Sequence, residues 1–228
     1  MISDDYQTTA LLYDRCLSPL FKPLQSDIRT FIFHSSHKRI IDICCGTGNQ
    51  LHLLETPGIT LVGVDNSISM LQRARRKCSE KVELHLLDVE QDNFALEQFD
   101  CAIISFGLHE KHPASRQTIY LNARNLIRQG GTLILADFSQ ERVGFSGSFI
   151  GGALIPIIER CAGKTHYNNY LDWMRRGGLE GFIDRRQETA DIISRPFGGS
   201  VICCAIPIND QARSFNKHLA LLNRALGP

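Results

Sequence analysis

The stretch that most constrains the fold is Ile40-Ile41-Asp42-Ile43-Cys44-Cys45-Gly46-Thr47-Gly48-Asn49, an apolar run that meets a carboxylate and passes at once into a glycine turn. Consecutive apolar, β-branched positions read as a strand buried on both faces, which belongs in a parallel sheet rather than a half-solvated antiparallel one. Glycine after such a strand permits a left-handed backbone and leaves room for a ligand to approach the main chain. The turn falls at the carboxyl end of the strand, where doubly wound sheets bind ligands.

The pattern recurs. With 39–44 as the first run, similar ones follow at 59–64, 82–87, 99–105 and 132–138, separated by helical periodicity. Ile68, Leu71, Ala74 and Cys78 share one face behind Ser67 as an N-cap. Ile119, Ala123, Leu126 and Ile127 share another, ahead of a helix stop expected at Gly130-Gly131. Alternating strands and helices imply right-handed crossovers and a doubly wound sheet. Leu24, Ile28, Phe31 and Ile32 mark an amphipathic helix before the first strand. Beyond the fifth strand come a Gly-rich apolar segment (144–152), a helix near 167–176, and two strands around 190–195 and 200–208. Phe197-Gly198-Gly199 joins those strands as a hairpin. A last helix from about Asp210 carries Phe215, Leu219, Leu222 and Leu226 on one side.

Composition narrows the function classes. A chain of 228 residues, 43% hydrophobic and 21% charged, fits one globular domain with decorations. A net charge of +1 gives no basic stripe for nucleic acid, and Arg73-Ala74-Arg75-Arg76-Lys77 reads as a solvated helix face. The acidic N-terminus has no signal-peptide pattern, and the longest apolar stretch, 201–208, falls far short of the roughly 20 residues that span a bilayer. Eight cysteines without Cys-x-x-Cys spacing argue against a disulfide framework or structural zinc and point to a reducing cytoplasm.

The chemistry is carried by the strand ends. A dinucleotide fingerprint wants a third glycine where Leu51 stands, and a pyrophosphate is repelled by Asp42; a ligand bearing an ammonium group is attracted by it. Asp65, ending the second run beside Asn66, can accept from both ribose hydroxyls. Asp88 can accept from an adenine amino group while the Val89 N–H meets the ring; a turn cap is the alternative for Asp88. Ser105, Phe106 and the residues through Glu110 border the reacting centre.

These five segments, in this order, resemble the class I S-adenosylmethionine-dependent methyltransferases over roughly residues 39–138, with the terminal hairpin similar to that family's last two strands. The resemblance implies an α/β, Rossmann-like doubly wound sheet of seven strands, mostly parallel with an antiparallel last strand, plus N-terminal and C-terminal helices. It divides the chain into a helical cap (1–38), a methyltransferase domain (39–208, with 139–180 as insertion or lid and helix) and a C-terminal helix (209–228). It implies S-adenosylmethionine as cofactor, held by Asp42, Gly46, Thr47 and Gly48 at the methionine part, Asp65 and Asn66 at the ribose, Asp88 and Val89 at the adenine, with Ser105 and Phe106 alongside. Cys44 departs from the commonest pattern, which has its first glycine there. The wording of the turn and of Gly-Gly-Thr-Leu-Ile-Leu-Ala-Asp-Phe is most similar to the quinone-biosynthesis branch, but after Tyr13-Asp14-Arg15 the likeness fades. A small-molecule acceptor, quinone- or lipid-like, is thus expected by kinship alone.

Sulfonium methyl groups are electrophilic, so the protein's task is alignment and exclusion of water. His109 is the candidate general base; shaping the pocket is its alternative role. His109-Glu110-Lys111-His112 separates its histidines by three rather than four, with Pro113 next, so no metal is expected. His34 and His37 read as solvated loop residues. Tyr13, Phe145, Phe149 and Tyr167 are the candidate acceptor-binding residues, as an apolar lid or as ordinary core. The last helix, basic at Arg213, Lys217 and Arg224, allows a peripheral membrane contact, with packing on the domain or a second subunit as the alternative. A non-catalytic adenosyl-binding protein and an NAD-linked oxidoreductase are the rival functions.

Overall fold

A computed structural model describes residues 18–91 and 98–209; Tyr13 and the helix expected from about Asp210 lie outside the described residues. The chain opens with helix α1 (Ser18–His34) and then alternates: β1 (Arg39–Ile43), α2 (Asn49–Leu54), β2 (Thr60–Asp65), α3 (Ile68–Lys77), β3 (Glu83–Leu86), β4 (Phe99–Ser105), α4 (Pro113–Leu126) and β5 (Ile127–Phe138). A helical stretch follows, made of α5 (Gly144–Phe149), a π-helical turn (Ile150–Leu154), α6 (Ile155–Cys161), α7 (Lys164–Arg175) and α8 (Gly178–Asp184). Strands β6 (Asp191–Ser194) and β7 (Val201–Pro207) finish the sheet.

The seven strands run β3-β2-β1-β4-β5-β7-β6. Pairing is parallel from β3 through β5, and β7 lies antiparallel to both β5 and β6. This is the mixed, Rossmann-like sheet of seven strands that the resemblance implies. The order reverses between β1 and β4, and a crevice opens beyond their carboxyl ends, as it must where successive crossovers leave to opposite faces. Ile40, Ile41 and Ile43 on β1 and Ile103 on β4 are wholly buried, consistent with a sheet covered on both sides.

Three local readings need correction. In α3, Ser67 caps the helix by accepting from the Met70 amide, but Ile68 is exposed and Met70 takes its place beside Leu71, Ala74 and Cys78. A residue directly after the cap lies on the turn that faces outward. Helix α4 ends at Leu126, before the glycines, and Ile127 already pairs with Phe99 in β5. Gly130 and Gly131 serve the strand instead: Gly130 has φ +74°, and a Cβ on Gly131 would fall 2.5 Å from the Asp100 carbonyl oxygen. His37 is half-buried rather than solvated, with Nε2 3.1 Å from the Thr132 hydroxyl.

Candidate active site

The turn after β1 is held by the end of β2. The Asp65 carboxyl accepts from the Gly46 amide at 2.8 Å through Oδ2 and from the Ser67 amide at 2.9 Å through Oδ1. Each oxygen keeps a lone pair for a further donor. The two glycines of the turn do different work. Gly48 (φ +74°) lies against α3, where a Cβ would stand 2.9 Å from that of Ala74. Gly46 (φ +53°) faces the crevice, where a Cβ would meet no protein atom within 4 Å. Cys44 also takes the left-handed conformation (φ +58°), which a side chain disfavours by roughly 1–2 kcal/mol. That backbone demand accounts for a glycine being the commoner residue in the pattern.

Buried polar groups gather here, and two of them have no hydrogen-bond partner in the protein. Burial pushes the Asp42 carboxyl up to about 8, and the neighbouring Asp65 adds to the rise. Burial likewise raises Asp65, against the pull of its two amide donors. The Ser105 hydroxyl at the end of β4 and Oε1 of Gln50 in α2 are buried without a hydrogen-bond partner. All four border one cavity of about 180 Å³. Buried polar atoms of this kind await a bound group or water.

A smaller recess continues past Asp65, bordered by Asn66, Leu87, Asp88, Val89, Lys111 and Ile119. Asp88 accepts from the Glu90 amide (3.0 Å) and the Gln91 side chain (2.9 Å), so it caps a turn while standing at this recess. Lys111 pairs with Glu110 at 3.3 Å; burial alone would lower its pKa, but Glu110 leads the charges that hold it raised.

The opposite end of the cavity has other walls. Phe21, Leu24 and Ile28 of α1, Phe106 and Phe138 at the ends of β4 and β5, and Ile155 and Ile158 of α6 make it apolar. The Phe21 ring lies tilted against that of Phe106 with centroids 4.2 Å apart, and Phe106 itself has φ +55°. Strained residues of this kind persist where the surroundings over-determine them. His109 is buried here. Its Nδ1 is 2.8 Å from Oδ1 of Asp137, and its Nε2 is 3.4 Å from Oε2 of Glu159. His166 of α7 places Nε2 2.6 Å from the same Glu159 oxygen and Nδ1 3.5 Å from Glu110. Burial disfavours charge on His109, yet Asp137 and Glu159 outweigh it and raise the imidazole well above its usual range. Burial would raise Glu159, but His109 and His166 bring it down to about 2. Arg116 locks the loop, donating to the Leu108 carbonyl (3.0 Å) and the His109 carbonyl (3.2 Å) while pairing with Asp172 at 2.8 Å.

Of the residues singled out in the sequence, Asp42, Gly46, Thr47, Asp65, Asn66, Ser105, Phe106 and His109 border the cavity, and Asp88 and Val89 the recess. Gly48 stands behind them against α3. Tyr167 stacks on Tyr170 and does not border the cavity. Phe145, 86% exposed, stacks on the half-exposed Phe149 well outside it. His112 caps α4, accepting from the Ala114 amide. Sequence reasoning missed Gln50, Lys111, Glu159 and His166; the first two adjoin the glycine turn and His109, and the last two lie where the chain carries no motif. The helix expected as part of the N-terminal cap walls the cavity through Phe21, Leu24 and Ile28 of α1.

A family described as "Methyltransferase domain" matches residues 40–131. The carboxy-S-adenosyl-L-methionine synthase of Methylococcus capsulatus is 30% identical over 197 residues, covering 79% of this chain and 79% of that protein. The protein of the same name from Campylobacter hominis is 30% identical over 156 residues; that match covers 66% of this chain and spans just under two thirds of its relative, 64%. Among solved structures, the plantazolicin methyltransferase BpumL in complex with a pentazolic desmethylPZN analog and SAH superposes with a TM-score of 0.62 at 14% identity, covering 91% of this chain and 92% of that one. At that identity the likeness speaks for the fold.

Proposed function

The chain belongs to the class I S-adenosylmethionine-dependent methyltransferases, and on that premise we propose that it transfers the sulfonium methyl of S-adenosylmethionine to a small, largely apolar acceptor. The observation that carries the reading is Gly46. Its missing side chain leaves open space between two buried carboxyls and an unpartnered serine hydroxyl, a cradle that fits an amino-acid moiety with its ammonium group.

When bound, S-adenosylmethionine supplies an electrophilic methyl carbon. The chain's own residues bind and orient it. Asp42 faces the ammonium, and Ser105 offers its hydroxyl to the methionine part. Asp65 uses its remaining lone pairs for the ribose hydroxyls, with Asn66 beside it, and Asp88 with Val89 borders the adenine. Phe21, Phe106 and Phe138 exclude water from the acceptor end, so that approach in line with the sulfur is not lost to hydrolysis. His109 has a carboxylate at each ring nitrogen, which suits ordering of that end better than service as a free base. Phe145, Phe149 and Tyr167 sit on the 139–180 segment, where closure over a bound acceptor would bring them in.

A second reading follows the relatives' name, synthesis of a carboxylated S-adenosylmethionine. The crevice disfavours it, because Asp42, Asp65, Glu110 and Glu159 border the cavity, while Lys111 is already paired with Glu110 and His109 is engaged by Asp137 and Glu159. A new carboxylate would meet repulsion there. The test has two arms. Calorimetry should show S-adenosylhomocysteine binding, and methyl-labelled S-adenosylmethionine with a cell extract should yield a labelled small molecule. Binding without any labelled acceptor, or a carboxylated nucleoside as product, would overturn the proposal.

A further inference from the structure

We propose that His109, Glu159 and His166 form a binding site for a divalent first-row transition metal, with its open coordination position facing the acceptor end of the cavity. The three side chains come from separate elements, the loop after β4, α6 and α7, and each offers one ligand atom within 4.8 Å of the others. Tetrahedral coordination at the usual Zn–N and Zn–O lengths spaces ligand atoms roughly 3.3–3.4 Å apart. His109 Nε2 and Glu159 Oε2 stand at 3.4 Å, and His166 Nε2 at 2.6 Å from that oxygen. The third separation is within 4.8 Å, so a cation between them requires side-chain shifts of up to about 1.5 Å.

Two observations point to a ligand rather than to an internal ion cluster. Oε2 of Glu159 is buried, and neither imidazole approaches it with the alignment of a hydrogen bond, so the oxygen at the centre of the group has no proper donor. Each histidine also has a carboxylate behind it. Asp137 faces Nδ1 of His109 at 2.8 Å and is itself fixed by the amides of Leu108 and His109, while Glu110 faces Nδ1 of His166 at 3.5 Å. A carboxylate on the far nitrogen sets the tautomer and aims the near nitrogen's lone pair at the metal. Without a cation, protons must fill the same space, and metal binding would release them.

The donor set selects the metal. Two imidazoles and one carboxylate suit zinc, cobalt or iron(II), whereas magnesium and calcium prefer oxygen throughout. Three protein ligands with the fourth position toward a cavity describe a site that takes an exogenous ligand. All three residues border the cavity, so that ligand would be a hydroxyl or thiol group, which loses its proton to solvent on coordination. This last step alone rests on the methyl-transfer reading.

The test uses the full chain, stripped with chelator and titrated with Co2+ by visible absorption and with Zn2+ by calorimetry. One equivalent should bind per chain. Glu159→Gln and His166→Ala should each weaken binding by more than the roughly 10–100-fold that loss of an outer partner costs. S-adenosylhomocysteine affinity, measured on the same samples, should be unchanged and so certify the fold. Binding that survives both substitutions overturns the site. So does an intense thiolate charge-transfer band, which would put the metal on Cys161 or Cys44, both at the cavity. Failure of the nucleoside to bind wild-type protein that still takes Co2+ would instead fault the methyl-transfer reading.

Discussion

Asp42 and Glu159 are both buried carboxyls at one crevice, yet the first is pushed up to about 8 and the second drawn down to about 2. Burial acts on both in the same direction. The difference lies in the neighbours: Asp42 faces another carboxyl, Asp65, whereas Glu159 faces two imidazoles. The glycine-turn side is therefore short of positive charge and gains it from a ligand's ammonium. The acceptor side already carries its own cationic groups and is tied to the scaffold through Asp137 and Arg116. One half is made to be completed by a cofactor's ammonium; the other brings its own opposed charges together from three elements and leaves one Glu159 oxygen for a cation.

If the halves are separable in this way, substitutions should sort cleanly. The largest effect on stability is expected from Gly48→Val, which combines a left-handed β-branched residue with a clash against Ala74, together about 2–5 kcal/mol in chemical denaturation. Gly46→Ala, with the same backbone strain but open space, should cost only about 1–2 kcal/mol while weakening S-adenosylhomocysteine at least about tenfold. Equal losses of stability in the two would erase the distinction between a packing glycine and a binding one.

His109→Ala, which removes the group that orders the acceptor end, should lower turnover by on the order of 100-fold and leave S-adenosylhomocysteine affinity within about twofold. A parallel fall in affinity would mean that the two halves are coupled. The Asp42 carboxyl predicts a pH dependence with a definite sign. Its pKa in the folded, ligand-free chain is raised from 3.8 to about 8, so the folded state holds the proton more tightly than the unfolded one. The stability it contributes is complete below the unfolded value and is lost as pH climbs toward about 8. An ammonium ligand favours the ionised form, so nucleoside affinity should strengthen as pH rises from 6 toward 8, by up to about tenfold per unit. Asp42→Asn should flatten both profiles; an unaltered affinity profile would remove Asp42 from the ammonium site. The smallest effect is expected at Cys44→Gly, where relief of strain and added chain entropy nearly offset each other, leaving a change under about 1 kcal/mol.

The glycine-turn half was legible because its information is local. A buried strand must be apolar at successive positions, a left-handed turn must use glycine, and the ligand sits where the two meet, so Asp42, Gly46 and Asp65 could be read within a few residues of each strand end. Even the errors were local. Gly130 and Gly131 looked like a helix stop because a strand's close approach to β4 has no separate sequence signal.

The acceptor half was legible only in part: Phe106 and His109 could be read at the end of β4, but not what meets them. Residue spacing drew attention to His112, four positions from nothing, while the partners of His109 were Asp137, Glu159 and His166, brought together by β5, α6 and α7. What the sequence determined by itself was the order of strands and helices and the chemistry of the first turn, since period and backbone conformation act between near neighbours. Only the tertiary structure decided that α1 would wall the cavity and that two helical residues would meet a loop histidine. An amphipathic pattern says which face of a helix is buried, but not against what; that choice belongs to the packing of distant elements.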